Sequence, residues 1–348
     1  MPAKIELDTP ILKTRNTPTN FFRENELLTT MKYLFLLSGE HPTLPCSELS
    51  CVGEVIDSRP QVAVALCSGR SEVARLAMSH AVMEYLGECP ADISSFAGLL
   101  KDLSISAPEP FMARVKKIEG AEIREPTATL ERLMGSAISG AVSLEYPSCE
   151  FRAIFSGDRC YIGKLLCTID RGSFDSRNPG KRTFFHPGVM MPRMARAIVN
   201  ISQVTDGEQF LDPFCGTGGV LIEAAMIGAT ATGGDMDMFM VQGTRRNIPG
   251  AGLFLADAGS LPLKSRSVDA VATDLPYGQS SSIMAEGIES LYTRSIEEIR
   301  RVLKPGRRAV IVTHRDIRSI ASPIMQISEF HEQRVHKSLT RRVMVLVS

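Results

Sequence analysis

Four aspartates fall at the ends of four apolar stretches in the second half of the chain: Asp212, Asp235, Asp257 and Asp274. Asp212 opens the turn Asp212-Pro213-Phe214-Cys215-Gly216-Thr217-Gly218-Gly219, whose glycines let the backbone approach a ligand closely and lead into the free N–H groups of a helix start. Asp235 lies 23 residues further on, where an acidic side chain accepts both hydroxyls of a ribose. Asp257 is placed to accept from an exocyclic adenine amine, and Asp274 begins Asp274-Leu275-Pro276-Tyr277-Gly278. Each aspartate alone could be a helix cap. Four at successive strand ends instead line the carboxyl edge of one parallel sheet, which is where open α/β folds bind ligands.

The loop is not followed by the Gly-Lys-Ser/Thr of a triphosphate site, and its leading carboxylate would repel a pyrophosphate. A cationic adenosyl ligand without phosphate suits it better, which points to S-adenosylmethionine with its sulfonium and ammonium groups. No Cys/His cluster has zinc spacing, so no metal is expected. The eight cysteines form no Cys-x-x-Cys pair, and most sit in apolar surroundings as buried free thiols of a reducing cytosol.

The elements that must hold these residues alternate. EQFLD, from Glu208, leads as a strand into the glycine loop, and 219–228 follows as a helix. Strand and helix then repeat through TATGGD, MDMFMVQGTRRN, GLFLAD, SVDAVATD, ESLYTRSIEEIRRVL and RRAVIVTH. Such alternation means a mostly parallel sheet covered by helices. Two last apolar strands near 327–335 and 342–347 suggest an antiparallel closing hairpin. Upstream, strands are expected at Met31–Gly39, up to Gly69 and over 111–120, with a hairpin over 149–166. Val73, Leu76, Ala77, Val82, Met83 and Leu86 recur at helical spacing, predicting a helix capped by Ser71 and stopped at Gly87. A second helix over 128–141 is expected to fray at Gly135. Residues 31–168 thus have α+β character, 169–188 have linker composition, and 1–30 form an extension.

Lys plus Arg equals Asp plus Glu, 39 against 39, which excludes a uniformly basic nucleic-acid binder. The charge is segregated, however. Residues 171–205 carry 6 basic and 1 acidic residue, 206–299 carry 5 and 13, and 300–348 carry 11 and 3. An acidic centre flanked by basic segments fits a cationic cofactor held among contacts to phosphates. No apolar run is long enough to span a membrane, and the start lacks a signal-peptide core, so a cytoplasmic protein is expected.

The glycine loop, the acidic strand ends and Asp274-Leu275-Pro276-Tyr277 resemble class I S-adenosylmethionine-dependent methyltransferases acting on exocyclic amines. More narrowly, FMARVKKIEG through RCYIGKLL, DRGSFDSRNPGKRTFFHPG, LDPFCGTGGVLIEAA, TDLPYG and VHKSLTRRVMVL resemble the archaeal tRNA guanine-N2 methyltransferases acting at guanine-10. The resemblance implies a ferredoxin-like part over 31–70, a THUMP RNA-binding domain over 71–168, a linker over 169–185 and a Rossmann-like methyltransferase domain over 186–348. It implies a tRNA partner and methylation of the guanine N2 amine, once or twice. Cofactor contacts would come from Thr183, Phe185, His186, Asp212, Pro213, Phe214, Gly216, Thr217, Gly218, Gly219, Asp235, Met236, Asp257, Ala258 and Asp274. Asp274, Leu275, Pro276 and Tyr277 would be catalytic, with the Asp274 carboxylate and a carbonyl of Leu275 or Pro276 accepting the amine protons and Tyr277 stacking on the base. Arg114, Lys116, Arg177, Lys181 and Arg182 would meet RNA phosphates. The usual family motif is Asp-Pro-Pro-Tyr, and Leu275 departs from it. Competing readings are an amino-methyltransferase of another RNA or of DNA (rRNA guanine N2 or adenine N6), a non-catalytic RNA-binding relative, and a small-molecule methyltransferase that would not need residues 31–168.

Overall fold

A computed structural model describes residues 31–67, 71–277, 287–336 and 339–348, with backbone alone at 71, 335, 336 and 339. The extension 1–30, Gly69, Gly278 and the side chains of Ser71 and His336 lie outside the described residues.

The N-terminal strands are β1 (Met31–Leu37), β2 (Gly53–Arg59), β3 (Val62–Cys67), β4 (Ser79–Pro90), β5 (Phe111–Lys117), β6 (Cys149–Ser156) and β7 (Arg159–Thr168). They pair in one sheet of order β2-β3-β1-β4-β7-β6-β5, so strands from both sides of residue 70 share it. The 149–166 hairpin forms as β6 and β7. Strands β5 and β6 are parallel, as a connection through α3 (Thr127–Ala137) allows. That helix and α2 (Ile93–Leu103) bury Phe96, Leu100, Leu130 and Met134 against Phe111, Phe151 and Phe155. The Asp92 side chain caps α2 by accepting the Ser95 N–H at 2.8 Å.

The helix expected over 71–86 is not formed. A 3-10 turn covers Ser71–Arg75, and β4 occupies the rest. The strand lies between β1 and β7 and buries Ala81, Val82 and Met83 in succession. It is covered on both faces, so its apolar residues do not alternate, and two register shifts, one at Tyr85/Gly87, break the period further. Gly87 therefore marks a strand irregularity and not a helix end. In α3 the expected fraying at Gly135 does not occur: the helix continues to Ala137.

The C-terminal sheet has the order β10-β9-β8-β11-β12-β14-β13. It comprises β8 (Gln209–Asp212), β9 (Thr230–Asp235), β10 (Gly252–Leu255), β11 (Val268–Asp274), β12 (Leu303–Thr313), β13 (Gln326–His336) and β14 (Leu339–Val347). The first five in sheet order are parallel and the last two antiparallel. One face of β11, β12 and β14 (Ala270, Ala272, Val310, Val312, Val343, Val345) packs with α4 (Pro192–Ile201) and α5 (Gly219–Met226). The alternate residues (Val271, Ala309, Ile311, Met344, Leu346) pack with Tyr292, Ile296 and Ile299. The period of two in the strands makes both faces apolar. Helix α6 (Met238–Asn247) follows β9, starting on the Asp237 side chain, which accepts the Phe239 N–H at 2.8 Å. Helix α7 (Ile288–Val302) precedes β12, and α8 (Arg318–Ala321) precedes β13. From β8 the chain turns to β9 on one side, and β11 lies on the other. That reversal of strand order opens a crevice at the carboxyl ends of β8 and β11.

The two halves are joined by a buried polar junction. Glu48, in the short helix α1 (Leu44–Glu48), is fully buried and accepts N–H groups of Ala77 and Met78 at 2.8 Å and the Asn200 amide at 2.7 Å. Asn200, on α4, in turn accepts from Arg75 Nε at 2.8 Å.

Candidate active site

At the crevice, Asp212 is buried at the end of β8. Its Oδ1 accepts the Thr273 hydroxyl at 2.7 Å and the Phe214 N–H at 3.2 Å, which folds the chain into the glycine turn. Gly216 and Gly218 take positive φ of 50° and 78°. A Cβ on Gly218 would also lie 2.8 Å from Thr244 Cγ2, so glycine is required there for both reasons. Asp235 closes the loop from the next strand: its two oxygens accept N–H groups of Gly216 at 3.0 Å and Asp237 at 2.9 Å.

Two residues not read from the sequence lock this loop from α6. The Thr244 hydroxyl donates to Gly216 O at 2.5 Å, and the Asn247 amide donates to Thr217 O at 2.9 Å. Asn247 also exchanges hydrogen bonds with both backbone groups of Phe184, at 2.9 and 2.8 Å. The Phe184 ring packs over Gly243, where a Cβ would lie 2.2 Å from it, and edge-on to Phe239. The 183–186 segment is thereby clasped beside the glycine loop, with Thr183, Phe185 and His186 exposed. The only sequence signal for Thr244 and Asn247 was their place in a helix following an acidic strand end.

Asp274 ends β11. Burial pushes its carboxyl up to about 6, against the opposing pull of Arg341 and of Tyr277. Burial raises Asp212 to about 7, with neighbouring Asp235 and Asp274 adding to the shift. Asp235 is also raised, chiefly by burial. The edge therefore concentrates carboxylates in a poorly solvated place, an arrangement that a bound cation relieves.

The Tyr277 hydroxyl donates to Asp274 Oδ1 at 3.4 Å, and its ring lies 4.5 Å from the His314 ring. Pro276 O accepts the Tyr292 hydroxyl at 2.7 Å. The Leu275 side chain is buried in the core, and its N–H donates to Val312 O at 2.9 Å, a bond proline could not make.

Other expectations divide. Asp257 lies two residues past β10 rather than at its end, and pairs with Arg294 at 2.9 Å and the Gly259 N–H at 2.8 Å. Pro213, Phe214 and Met236 flank Asp212 and Asp235, Met236 largely exposed and Ala258 buried beside Asp257. Arg177 does not point to solvent: it pairs with fully buried Glu223 at 2.7 Å, and Arg196 pairs with the same carboxylate at 2.8 Å. A buried carboxylate demands this pairing, which competes with the phosphate contact that the resemblance implies. Arg182 turns to the glycine loop, 3.4 Å from Thr217 Oγ1, and Lys181 alone of the three stays exposed. Arg114 and Lys116 are exposed on β5, in the other sheet.

The model of an RMKL-like methyltransferase domain matches residues 179–343. The tRNA (guanine(10)-N2)-dimethyltransferase of Methanothermobacter thermautotrophicus is 36% identical over 91% of this chain and 99% of its own length. The chain belongs to that family. A second relative of the same name, from Methanocaldococcus jannaschii, is 28% identical over 89% of this chain and 98% of its own. Among solved structures, TrmN from Thermus thermophilus aligns over 91% of this chain and 99% of its own, with TM-score 0.51 and 19% identity, a likeness of fold. The tRNA (guanine(10)-N2)-dimethyltransferase family is one of enzymes, and this member carries a class I methyltransferase domain. Among the described residues no helix is long and apolar enough to cross a membrane, and no His/Cys/Asp/Glu group could hold a metal ion.

Proposed function

We propose that this enzyme methylates the N2 amine of guanine-10 in tRNA, with S-adenosylmethionine as cofactor. The residues present fit that cofactor: three buried or half-buried carboxylates face a loop of positive-φ glycines, a donor set suited to a cation with ribose hydroxyls. When bound, the cofactor supplies an electrophilic methyl group on a sulfonium.

The observation that carries the reading is the arrangement around Asp274. With Pro276 O occupied by Tyr292, the Leu275 carbonyl is the backbone acceptor for the amine, and the Asp274 carboxylate is the other. The buried Leu275 side chain and its N–H bond to Val312 O hold that carbonyl, offsetting the rigidity proline would give. The guanine N2 lone pair is delocalised into the ring. Two fixed acceptors pyramidalise the amine, aim its lone pair and stabilise positive charge developing on nitrogen. A carboxyl raised to about 6 is a better proton acceptor near neutral pH than an ordinary aspartate. Tyr277, backed by His314, offers a face for the base, a contact worth ~1–3 kcal/mol. The base must leave its stack to reach this edge. Arg114, Lys116 and Lys181 supply phosphate contacts, and residues 71–168 are the THUMP-like RNA-binding unit.

Asp274→Ala tests the assignment. Methyl transfer to a tRNA transcript is expected to fall by at least about a hundredfold, while cofactor binding persists through the glycine loop and Asp235. Substantial transfer by this variant would remove Asp274 from the mechanism.

A further inference from the structure

Asp274 pairs across the sheet with Val312, and Val312 with Val343. Residues paired in this way face the same side, as do residues two apart in a strand. Arg341, two positions before Val343 on antiparallel β14, therefore shares the face of Asp274 and lies at the carboxyl edge of the sheet. There its guanidinium faces both the Asp274 carboxylate and the Tyr277 hydroxyl. Its Nε is buried without a hydrogen-bond partner. The next residue, Arg342, is occupied elsewhere, by Glu332 at 2.8 Å and His314 O at 2.5 Å.

We propose that Arg341 is a positioning residue of the methyl-transfer site, neutralising the Asp274 carboxylate and holding the Tyr277 hydroxyl from the last strand of the sheet. The proposal rests on the reading of Asp274 as the amine acceptor. An ionised carboxylate accepts the amine protons, whereas a protonated one presents a hydrogen of its own and opposes them. Around Asp274 the other groups are carboxylates, which favour its protonated form, or carry no charge, and of the uncharged ones the Tyr277 hydroxyl donates to it and favours the ionised form. Asp212 faces it from β8, with Asp235 behind on β9. Tyr277 adjoins it, and Tyr292 faces it from α7, with Arg315 acting on that phenol. The neighbouring imidazole of His314, between Arg315 and Arg342, is biased to its neutral form by burial and by those two cations. Arg341 is the cation that acts directly on Asp274. Low dielectric makes its effect larger than at a surface pair.

The test is the pH profile of kcat/KM for methyl transfer to a tRNA transcript, in wild type, Arg341→Met and Arg341→Lys. The Met variant is expected to move the acid limb upward by about one pH unit, so that its loss at pH 6 exceeds its loss at pH 9 by about fivefold. The Lys variant, which keeps the charge, is expected to restore the limb. A loss equal at every pH, with the limb unmoved, would overturn the proposal. Carboxyl-carbon NMR titration of Asp274 in the free enzyme, its signal assigned with Asp274→Asn, gives a second reading. An upward move in Arg341→Met supports the proposal and an unchanged titration overturns it. If Arg341→Met does not fold, Arg341→Gln takes its place in both measurements. A wild type that methylates no tRNA would sink the reading of the site, while the NMR titration would still decide on Arg341.

Discussion

Asp212, Asp235 and Asp274 all bind protons more tightly in the fold than in an unfolded chain. Their contribution to stability is greatest at low pH and is lost as pH rises through about 6 for Asp274 and about 7 for Asp212. A cation placed among them reverses that cost. The affinity for S-adenosylmethionine, measured by calorimetry in buffers of differing ionisation enthalpy, should therefore rise between pH 6 and 7 with release of protons, by up to about tenfold per unit for each coupled carboxyl. S-adenosylhomocysteine, without the sulfonium charge, should show a shallower rise. An affinity for S-adenosylmethionine that is flat with pH would contradict the electrostatic account. These carboxylates were legible in the sequence because type, spacing and strand ends coincide. The pairing of Arg177 with buried Glu223, 46 residues away, was not legible, because no local pattern reveals it.

The glycine loop is only as well placed as the elements around it. Helix α5 is held to the 171–182 segment by Glu223, which serves Arg177 and Arg196 at once, and α6 grips the loop through Thr244 and Asn247. Removing one partner of a buried ion cluster leaves the others uncompensated. Glu223→Ala is accordingly expected to destabilise the protein by about 3–5 kcal/mol, read in denaturant unfolding, and to weaken cofactor binding because the loop leads directly into α5. A change under 1 kcal/mol would mean the cluster contributes little. The alternating C-terminal elements were legible because β8, β9 and β11 end on aspartate and α5 runs out just before Gly228. Strand β4 was not: covered on both faces and irregular in register, it carries its apolar residues at a spacing a helix would also use. The same limit applies to Arg341: it lies within VHKSLTRRVMVL, but its place at the site follows from β12–β14 pairing.

Across the whole molecule, the basic tail is less available than its count suggests. Of its cations, Arg301, Lys304, Arg307, Arg308, Arg318 and Arg342 are paired with Glu298, Asp269, Glu208, Glu329, Asp316 and Glu332 respectively. Charge balance thus reflects internal pairing as well as segregation. The buried Glu48–Asn200 hydrogen bond joins the N-terminal half of the chain to α4 in the C-terminal half. The central claim is that this edge methylates guanine N2 in tRNA. Its most direct measurement is incubation of the purified enzyme with an unmodified tRNA transcript and isotopically labelled S-adenosylmethionine, followed by nucleotide-level mass spectrometry. The account predicts label in N2-methylated guanosine at position 10; label confined to another nucleotide or another atom, or no transfer by an enzyme that binds the cofactor, would contradict it.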